Sequence, residues 1–194
     1  GSAWTSAHDM AQWAQFLLRG GVTGDGARLI SEERFADFFR PQHLIAKADF
    51  YPTAELTQPN WIDYALGWFQ QDFQGRMIDF HTGSLSGLIA IIGLDRAGDR
   101  AVVVLGNRDH AEMRHAILWD VMDARPPAER PDWNELVFAL YEDRAAGNDA
   151  RWTEIEEKRL RGTRPSLPLA AYTGLYRNPL MGDLAVTANG DALQ

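Results

Sequence analysis

Apolar residues recur at helical spacing near the start of the chain and alternate with polar residues further along. Met10, Ala14 and Leu17 fall on one face of a helix. Ser6 precedes them as an N-cap residue, and Gly20 follows them as a helix stop. The pattern therefore predicts a first helix between Ser6 and Gly20.

A second predicted helix begins after Ser31, which is another N-cap residue, and ends before Pro41. Residues 41–62 show no period and contain Pro52 and Pro59, so they are predicted to be irregular. Short apolar runs then alternate with turn residues. They predict four strands, over residues 64–70, 77–81, 88–95 and 100–106. The short connections favour an antiparallel sheet.

The last third of the chain is predicted to be helical first and then stranded. A helix over residues 110–124 is expected to bury four apolar side chains against the sheet. These are Met113, Ile117, Leu118 and Val121. A proline-rich linker follows, and Asp132 caps a helix that Gly147 is predicted to break before a strongly charged helix begins. Asn189-Gly190 predicts a tight turn between two strands.

Small polar residues lie between two of the predicted strands. The run is His81-Thr82-Gly83-Ser84, and it begins at the end of the strand over residues 77–81. A rigid sheet holds such side chains in place, and a glycine lets a ligand approach the backbone closely. An imidazole also titrates near neutral pH. The segment is therefore the strongest candidate for the edge of a catalytic cleft.

Three segments in this order resemble one family of enzymes. They are Tyr64-Ala65-Leu66-Gly67-Trp68, His81-Thr82-Gly83-Ser84 and Gly106-Asn107-Arg108. Together with the helix that opens after Thr5, they are similar to the serine β-lactamase and penicillin-binding-protein-like hydrolases, and the resemblance covers residues 1–124. His81 stands where the family's Lys-Thr-Gly box has its lysine, a substitution familiar in the esterase and peptidase branches of the family.

The resemblance implies a role for each residue of this box. His81 would polarise the substrate or relay a proton near neutral pH, and Ser84 would donate its main-chain N–H to an oxyanion. Thr82 would hydrogen bond to a substrate carboxylate or carbonyl, and Gly83 would let the substrate backbone approach. Because histidine replaces a cationic lysine, esterase or peptidase activity is favoured over β-lactam hydrolysis. No metal or organic cofactor is implied.

The family's nucleophile is missing from the expected place. It lies in a Ser-x-x-Lys motif, and no serine in this chain has a lysine three residues later. Ser31 has Arg34 at that spacing, and an arginine cannot give up its proton to act as a base. Tyr176-Arg177-Asn178 spells the family's second motif but lies far downstream, so it is interpreted as structural. The resemblance therefore implies the C-terminal portion of a larger enzyme, whose upstream serine forms an acyl-enzyme.

A self-contained catalytic triad is a weaker hypothesis. Asp79, His81 and Ser84 or Ser86 are close in sequence. Asp79 and His81 share one strand face, however, so they stand side by side rather than in the line from orienting group to base to nucleophile. Neither serine belongs to a Gly-x-Ser-x-Gly elbow. The triad is therefore not the preferred interpretation.

A metal site is weaker still. His110 and His115 are five residues apart, which points them to different faces of a helix, and His8 and Asp9 are adjacent. Both pairs are interpreted as surface or capping residues. The chain has no cysteine, which removes disulfides and thiolate catalysis from consideration. Four tryptophans are predicted to pack in the core, namely Trp4, Trp13, Trp68 and Trp119.

Composition restricts the partners of the chain. A formal net charge of −8 with scattered cations argues against nucleic acid. No stretch approaches the ~20 apolar residues of a membrane helix, and the first residues lack the pattern of a signal peptide. The expected ligand is a small-molecule or peptide substrate. The resemblance points to a periplasmic or secreted protein, while a cytoplasmic location stays open.

These observations predict an α+β fold with an antiparallel sheet flanked by helices. Residues 1–124 would be the C-terminal portion of a β-lactamase-like catalytic domain, residues 125–168 a helical linker, and residues 169–194 the start of an accessory β domain similar to a lipocalin. The missing N-terminal portion or another copy is expected to pack on the sheet, because truncation would expose apolar surface. The predicted function is hydrolysis of amide or ester bonds. The alternative is a non-catalytic binding relative of the same fold.

Overall fold

A computed structural model describes residues 4–108 and 111–194 of the chain. These residues form two compact units. The first ends at Asn148, and the second comprises Asp149–Gln194. Among the described residues, no helix combines the length and the apolar character that a bilayer-spanning helix needs. The candidate site lies in the first unit.

Helices and strands both occur in the first unit, and the second adds short strands. The helices are α1 (Ala7–Leu18), α2 (Glu32–Phe38), α3 (Ala54–Thr57), α4 (Met113–Met122) and α5 (Trp133–Glu157). The strands of the first unit are β1 (His43–Leu44), β2 (Ile62–Tyr64), β3 (Phe69–Phe73), β4 (Arg76–Leu85), β5 (Leu88–Asp95) and β6 (Arg100–Gly106). Those of the second unit are β7 (Gly174–Asn178), β8 (Gly182–Val186), β9 (Ala188–Asn189) and β10 (Ala192–Leu193).

Strands β1 to β6 form one antiparallel sheet in the order of the chain. In the central pairs, Asp79 lies opposite Leu94 and Ile91 lies opposite Val104. Short connections make this order possible, because antiparallel neighbours need no crossover helix. Helix α1 contacts β5 and β6, and α4 contacts the same two strands. The predicted α+β architecture, an antiparallel sheet flanked by helices, is confirmed.

The first two helices start at their predicted N-caps. Ser6 Oγ accepts the N–H of Asp9 at 3.2 Å, and Ser31 Oγ accepts the N–H of Arg34 at 3.3 Å. Each bond satisfies one of the N–H groups that a helix leaves without an internal partner. Helix α1 ends before Gly20, which has a positive φ of 66° that favours glycine.

Each face of the sheet carries its own apolar cluster. The cluster beside α1 and α2 contains Ala14, Leu17, Phe39, Ala65, Trp68 and Leu94. The cluster beside α4 and the start of α5 contains Phe73, Ile78, Phe80, Ile91, Leu118, Trp119, Met122 and Trp133. Strand β5 contributes to both, because successive side chains of a strand point to opposite faces. The core is therefore two layers separated by the sheet.

Helices α1 and α4 each contact both β5 and β6. No residue of β6, the last strand in the order of the sheet, is fully buried, so packing of a missing portion or another copy on the sheet stays a prediction. Three leucines at one end of the sheet remain partly exposed, namely Leu85 at 56%, Leu88 at 40% and Leu105 at 41%. These exposed leucines provide an apolar surface on which a further partner could pack.

Two predicted strands have different limits in the structure. The run predicted as one strand over residues 64–70 is divided between β2 and β3 by a turn in which Gly67 has a φ of 86°. The strand predicted to end at His81 continues to Leu85. Gly83 disfavours a strand by local propensity, but pairing with β5 overrides that preference. The polar run therefore belongs to a strand.

Helix α4 presents a different face from the predicted one. Leu118 is buried as expected, but Met113 is 46% exposed while Arg114 and His115 are buried. The orientation differs because the end of β4 offers oxygen acceptors to Arg114, which makes burial of a guanidinium favourable. His110, where this helix was predicted to begin, lies outside the described residues.

Helix α5 starts as predicted and then continues further than predicted. Asp132 Oδ1 accepts the N–H groups of Asn134 and Glu135, both at 3.0 Å. The predicted break at Gly147 is wrong, since the helix runs without interruption to Glu157. One glycine in an exposed helix costs only about 1 kcal/mol relative to alanine, which is too little to end a helix by itself.

The tryptophans divide between core and surface. Trp68 and Trp119 are buried as predicted. Trp4 is 86% exposed and Trp13 is 40% exposed, so the prediction that they pack in the core is wrong. Trp13 precedes the buried Ala14 on α1, points away from the core face, and stacks on Phe16 with ring centroids 5.4 Å apart. Size and apolar character alone did not determine burial.

The second unit contains two small antiparallel pairs, β7 with β8 and β9 with β10. Asn189 lies opposite Ala192, which confirms the predicted tight turn at Asn189-Gly190. Gly190 has a φ of 60°, a conformation that glycine adopts without strain. Within the described residues this unit contributes no strand to the six-stranded sheet.

Helix α4 packs closely on β5 at Gly93. A Cβ atom at this position would overlap Leu118 Cδ1 and would lie 3.3 Å from Met122 Cε. The absence of a side chain therefore allows the helix to approach the strand. On the neighbouring strand β4, a Cβ atom at Gly83 would have no described heavy atom within 4 Å.

Gly93→Ala should lower the free energy of unfolding by about 1–3 kcal/mol, because overpacking forces the helix away from the strand. Gly83→Ala is the matched control in the adjacent strand and should change stability by less than about 1 kcal/mol. Urea unfolding of both variants measures the difference. Equal stabilities for the two variants would contradict the close packing of α4 on β5.

Candidate functional site

Residues 81–85 form a free strand edge. Pairing between β3 and β4 ends where Phe69 lies opposite Phe80. Beyond that point β4 pairs with β5 alone, from His81 opposite Ile92 onwards, and no other described strand pairs with this part of β4. Gly83 and the following two residues are exposed. An unpaired strand edge presents main-chain N–H and C=O groups that an extended ligand can bind.

His81 is half-buried at the start of this edge. Its Nε2 lies 3.2 Å from the hydroxyl oxygen of Tyr64, and its ring stacks on Phe69 with centroids 5.5 Å apart. Burial lowers the pKa of His81 below its usual value. The imidazole is therefore neutral at pH 7, with one nitrogen as donor and the other as acceptor. The Tyr64 hydroxyl donates to Nε2 in the tautomer that carries its proton on Nδ1.

Thr82 and Gly83 differ in how far their groups are available to a ligand. Thr82 is buried, and its hydroxyl donates to the carbonyl of Ala90 at 2.8 Å. That proton is already used within the sheet, so only the lone pairs of the hydroxyl remain for another donor. Gly83 is exposed and faces open space on the side where a Cβ would project. Close approach of a ligand to the backbone is therefore unobstructed there.

Ser84 is tied to a buried arginine that the sequence did not indicate. Arg114 on α4 is 6% exposed, and its Nη1 donates to Ser84 Oγ at 2.7 Å and to the Gly83 carbonyl at 3.1 Å. Arginine is rarely buried without partners, and these two oxygens are what it gains at this position. Arg114 therefore holds the free edge of β4 from the side of the helix.

A buried group of titratable residues lies beside Arg114. His115 is buried with its ring between those of Tyr51 and Tyr141, at centroid distances of 5.3 and 6.3 Å. Its Nε2 is 3.6 Å from Glu112 Oε2. Burial, and then the neighbouring Arg114 charge, lowers the pKa of His115 to about 3. The interpretation of His115 as a surface residue is therefore wrong, because α4 turns it towards the aromatic rings.

The parts of the self-contained triad are not brought together. His81 bonds to Tyr64, and Ser84 bonds to Arg114. Asp79 is buried and accepts hydrogen bonds from Gln70 and Arg96. Ser86 lies in the turn between β4 and β5. His81, Ser84 and Asp79 bond to groups other than one another, so these three side chains form no line from carboxylate to imidazole to hydroxyl.

The residue pairs considered as metal ligands do not form a metal site among the described residues either. His8 Nε2 lies 2.7 Å from Gln12 Nε2 on the exposed side of α1, and Ser6 bonds to Asp9 at the helix start. His110 lies outside the described residues. No group of three histidine or carboxylate residues in the described part of the chain is arranged to hold a metal ion.

Asp63 on β2 is a buried carboxyl group that sequence reasoning missed. It is 1% exposed and lies opposite Gln70 in the sheet. Burial, followed by the nearby charge of Asp79, raises the pKa of Asp63 to about 6. Neither the Asp63 carboxyl nor Gln70 Oε1 has a hydrogen-bond partner among the described residues. Protonation would give the buried Asp63 carboxyl one O–H donor in place of a charge.

Comparison with known proteins indicates a relationship to hydrolases. The chain is 26% identical over 192 residues to the unguisins hydrolase ungD' of Aspergillus campestris (strain IBT 28561). The alignment includes 96% of this chain and 34% of that hydrolase, so the chain spans about a third of the length of the relative. No family model matches the chain, and no solved structure matches it. The chain is thus distantly similar to part of a larger hydrolase.

Acid should destabilise the first unit through His115. In the unfolded chain this histidine has a pKa near 6.5, whereas in the fold its pKa is about 3. Between these values the unfolded state binds one more proton, so stability falls as pH falls, by up to about 1.4 kcal/mol per pH unit. His115→Phe keeps an aromatic ring and removes the titration, so the slope should flatten.

Urea unfolding of both proteins across this pH range measures the slope. At pH above the unfolded pKa both states of His115 are neutral, so the two proteins should there show no difference in slope. A variant that loses stability towards acid as steeply as the parent would contradict the assignment of the slope to His115.

Proposed function

We propose that this chain is part of a serine hydrolase that cleaves amide or ester bonds through an acyl-enzyme. The observation that carries the proposal is the free edge of β4 at residues 81–85, with an exposed Gly83 and a neutral His81 beside it. A rigid strand with open backbone groups is suited to hold a substrate and to stabilise charge on its carbonyl oxygen. The distant similarity to a hydrolase supports the same class.

In the proposed reaction a serine from outside this chain attacks the substrate carbonyl. The carbonyl oxygen becomes an oxyanion, and the main-chain N–H of Ser84 donates to it together with the N–H of the nucleophile. A base from outside this chain takes the proton of the serine hydroxyl and passes it to the leaving group, which departs and leaves an acyl-enzyme. Water then attacks the acyl group and releases the acid. Preorganised donors contribute because they need no reorientation when the charge develops.

His81 would act as a neutral imidazole in this reaction. Tyr64 and Phe69 hold its ring, so its free nitrogen has a defined direction. A neutral imidazole can accept or donate a proton near pH 7, whereas a lysine in this place would supply a fixed positive charge. This difference supports esters or peptides as substrates over anionic β-lactams.

A binding protein without catalysis is the second candidate. The observation that favours it is that His81 and Ser84 each have a hydrogen-bond partner within the chain. Side chains that are already satisfied can serve structure and ligand binding without chemistry. The sequence of the longer protein discriminates the two candidates, since the hydrolase needs Ser-x-x-Lys and Tyr-x-Asn upstream of this chain.

The isolated chain should not hydrolyse ester or β-lactam reporter substrates. The reason is that it has no Ser-x-x-Lys motif, and Ser84 at the free edge bonds to Arg114, which cannot act as a base. The measurement is turnover by the purified chain at high protein concentration. Activity that disappears in Ser84→Ala or Ser86→Ala would instead reveal a nucleophile within the chain.

In the longer protein, His81→Ala should lower kcat/KM by about 10-fold to 1,000-fold, because general acid–base groups typically contribute about 10²-fold to 10⁴-fold and electrostatic roles can contribute less. His43→Ala is the matched control, since His43 is exposed on β1 and is separated from β4 by two strands. Steady-state kinetics and thermal unfolding are measured for both. Unchanged kinetics with a lower melting temperature would assign His81 a structural role only.

A further inference from the structure

We propose that Arg114 is a positioning residue for the oxyanion donor, and that it acts through the peptide group between Gly83 and Ser84. The inference rests on the proposed function, because it concerns the same Ser84 N–H. It adds a residue on a different element, helix α4, to a site otherwise built from strand β4. Arg114 does not need to touch the substrate for this role.

The first step is covalent geometry. The Gly83 carbonyl, which accepts from Arg114 Nη1 at 3.1 Å, and the Ser84 N–H belong to one peptide group. A peptide group is planar, and in its trans form the C=O and N–H bonds point in opposite directions. A bond that fixes the carbonyl therefore fixes the N–H as well. With the carbonyl directed to the buried guanidinium, the N–H is directed away from it.

The second bond removes the remaining freedom of the strand end. The same Nη1 donates to Ser84 Oγ at 2.7 Å, so one nitrogen holds the residues on both sides of the peptide bond. Residues 81–85 have a strand partner on one side only and would otherwise be the least restrained part of β4. The Gly83 carbonyl lies on the β5 side of β4, opposite to the Ser84 N–H on the free edge, so Arg114 adds a restraint from the helix to the one that pairing with β5 already provides.

The third step is electrostatic. Hydrogen bonds from an ionised donor are about twice as strong as those between neutral groups, and hydrogen bonds in sequence polarise one another. A guanidinium on the carbonyl oxygen draws electron density through the peptide and makes the N–H a better donor. Arg114 is 6% exposed, so water screens its charge weakly. The Ser84 N–H is therefore both aimed and strengthened by the same contact.

The arginine is itself held by the packing of its helix. Leu118, one turn further along α4, packs against Gly93 on β5, which sets the distance between helix and sheet. Arg114 Nη2 also lies 3.7 Å from Glu112 Oε2. A side chain held from both directions can transmit a fixed position to the strand, which a flexible surface arginine could not.

The test uses Arg114→Gln and Arg114→Lys in the longer protein. Arg114→Gln should lower kcat by about 10-fold to 100-fold while KM changes by less than about 3-fold, because oxyanion stabilisation acts in the transition state. Arg114→Lys keeps the charge and should restore part of that loss. Arg100→Gln is the matched control, because Arg100 ties the other end of α4 to the sheet through the Val121 and Asp123 carbonyls.

A second measurement, on the 194-residue chain, follows the amide of Ser84 by NMR. Arg114→Lys should shift its nitrogen resonance and speed its hydrogen exchange, whereas Arg100→Gln should do neither. A wild-type longer protein without hydrolase activity would refute the proposed function. If the wild-type enzyme is active but kcat falls equally in the Arg114 and Arg100 variants, the role of Arg114 is refuted while the proposed function stands. An unchanged nitrogen resonance and exchange rate of the Ser84 amide in Arg114→Lys would refute that role as well.

Discussion

The contact between helix α4 and strand β5 at Gly93 is the constraint on which the first unit depends. Without a side chain at that position, Leu118 and Met122 reach the strand itself and join the apolar cluster on that face. The resulting helix–sheet distance decides which side chains can bridge the two elements. Interiors are close-packed, so a displaced helix would change the contacts along its whole length.

Arginines tie both ends of α4 to the sheet, and this follows from the close approach in the middle. Arg76 donates to the Met122 carbonyl and Arg100 to the Val121 carbonyl at the C-terminal end. These bonds satisfy carbonyls that the helix leaves free, and the cations also oppose the negative end of the helix dipole. Near the N-terminal end of α4, Arg114 donates hydrogen bonds to Gly83 and Ser84 on β4. The free strand edge is therefore held by the same framework that builds the core.

Sequence patterns predicted the features that depend on neighbouring residues. Ser6, Ser31 and Asp132 cap their helices as expected, because an N-cap bond spans only two or three residues. The predictions of burial were wrong where residues far away in the sequence form the environment of a side chain. Arg114 and His115 are polar by sequence and buried in the fold, since their environment comes from β4 and from two tyrosines far along the chain. A buried arginine gives no periodic signal.

In the proposed reaction, the candidate site would divide two electrostatic tasks between His81 and Arg114, whose surroundings differ. His81 lies at the free edge, and its burial favours the neutral ring, so it can exchange protons without holding a permanent charge near the substrate. Arg114 keeps a permanent charge, but behind the strand, where it meets the peptide carbonyl rather than the ligand. A fixed cation beside the substrate would favour anionic ligands in the ground state. In the proposed acyl transfer, a cation behind the peptide group would favour instead the charge that develops only in the transition state.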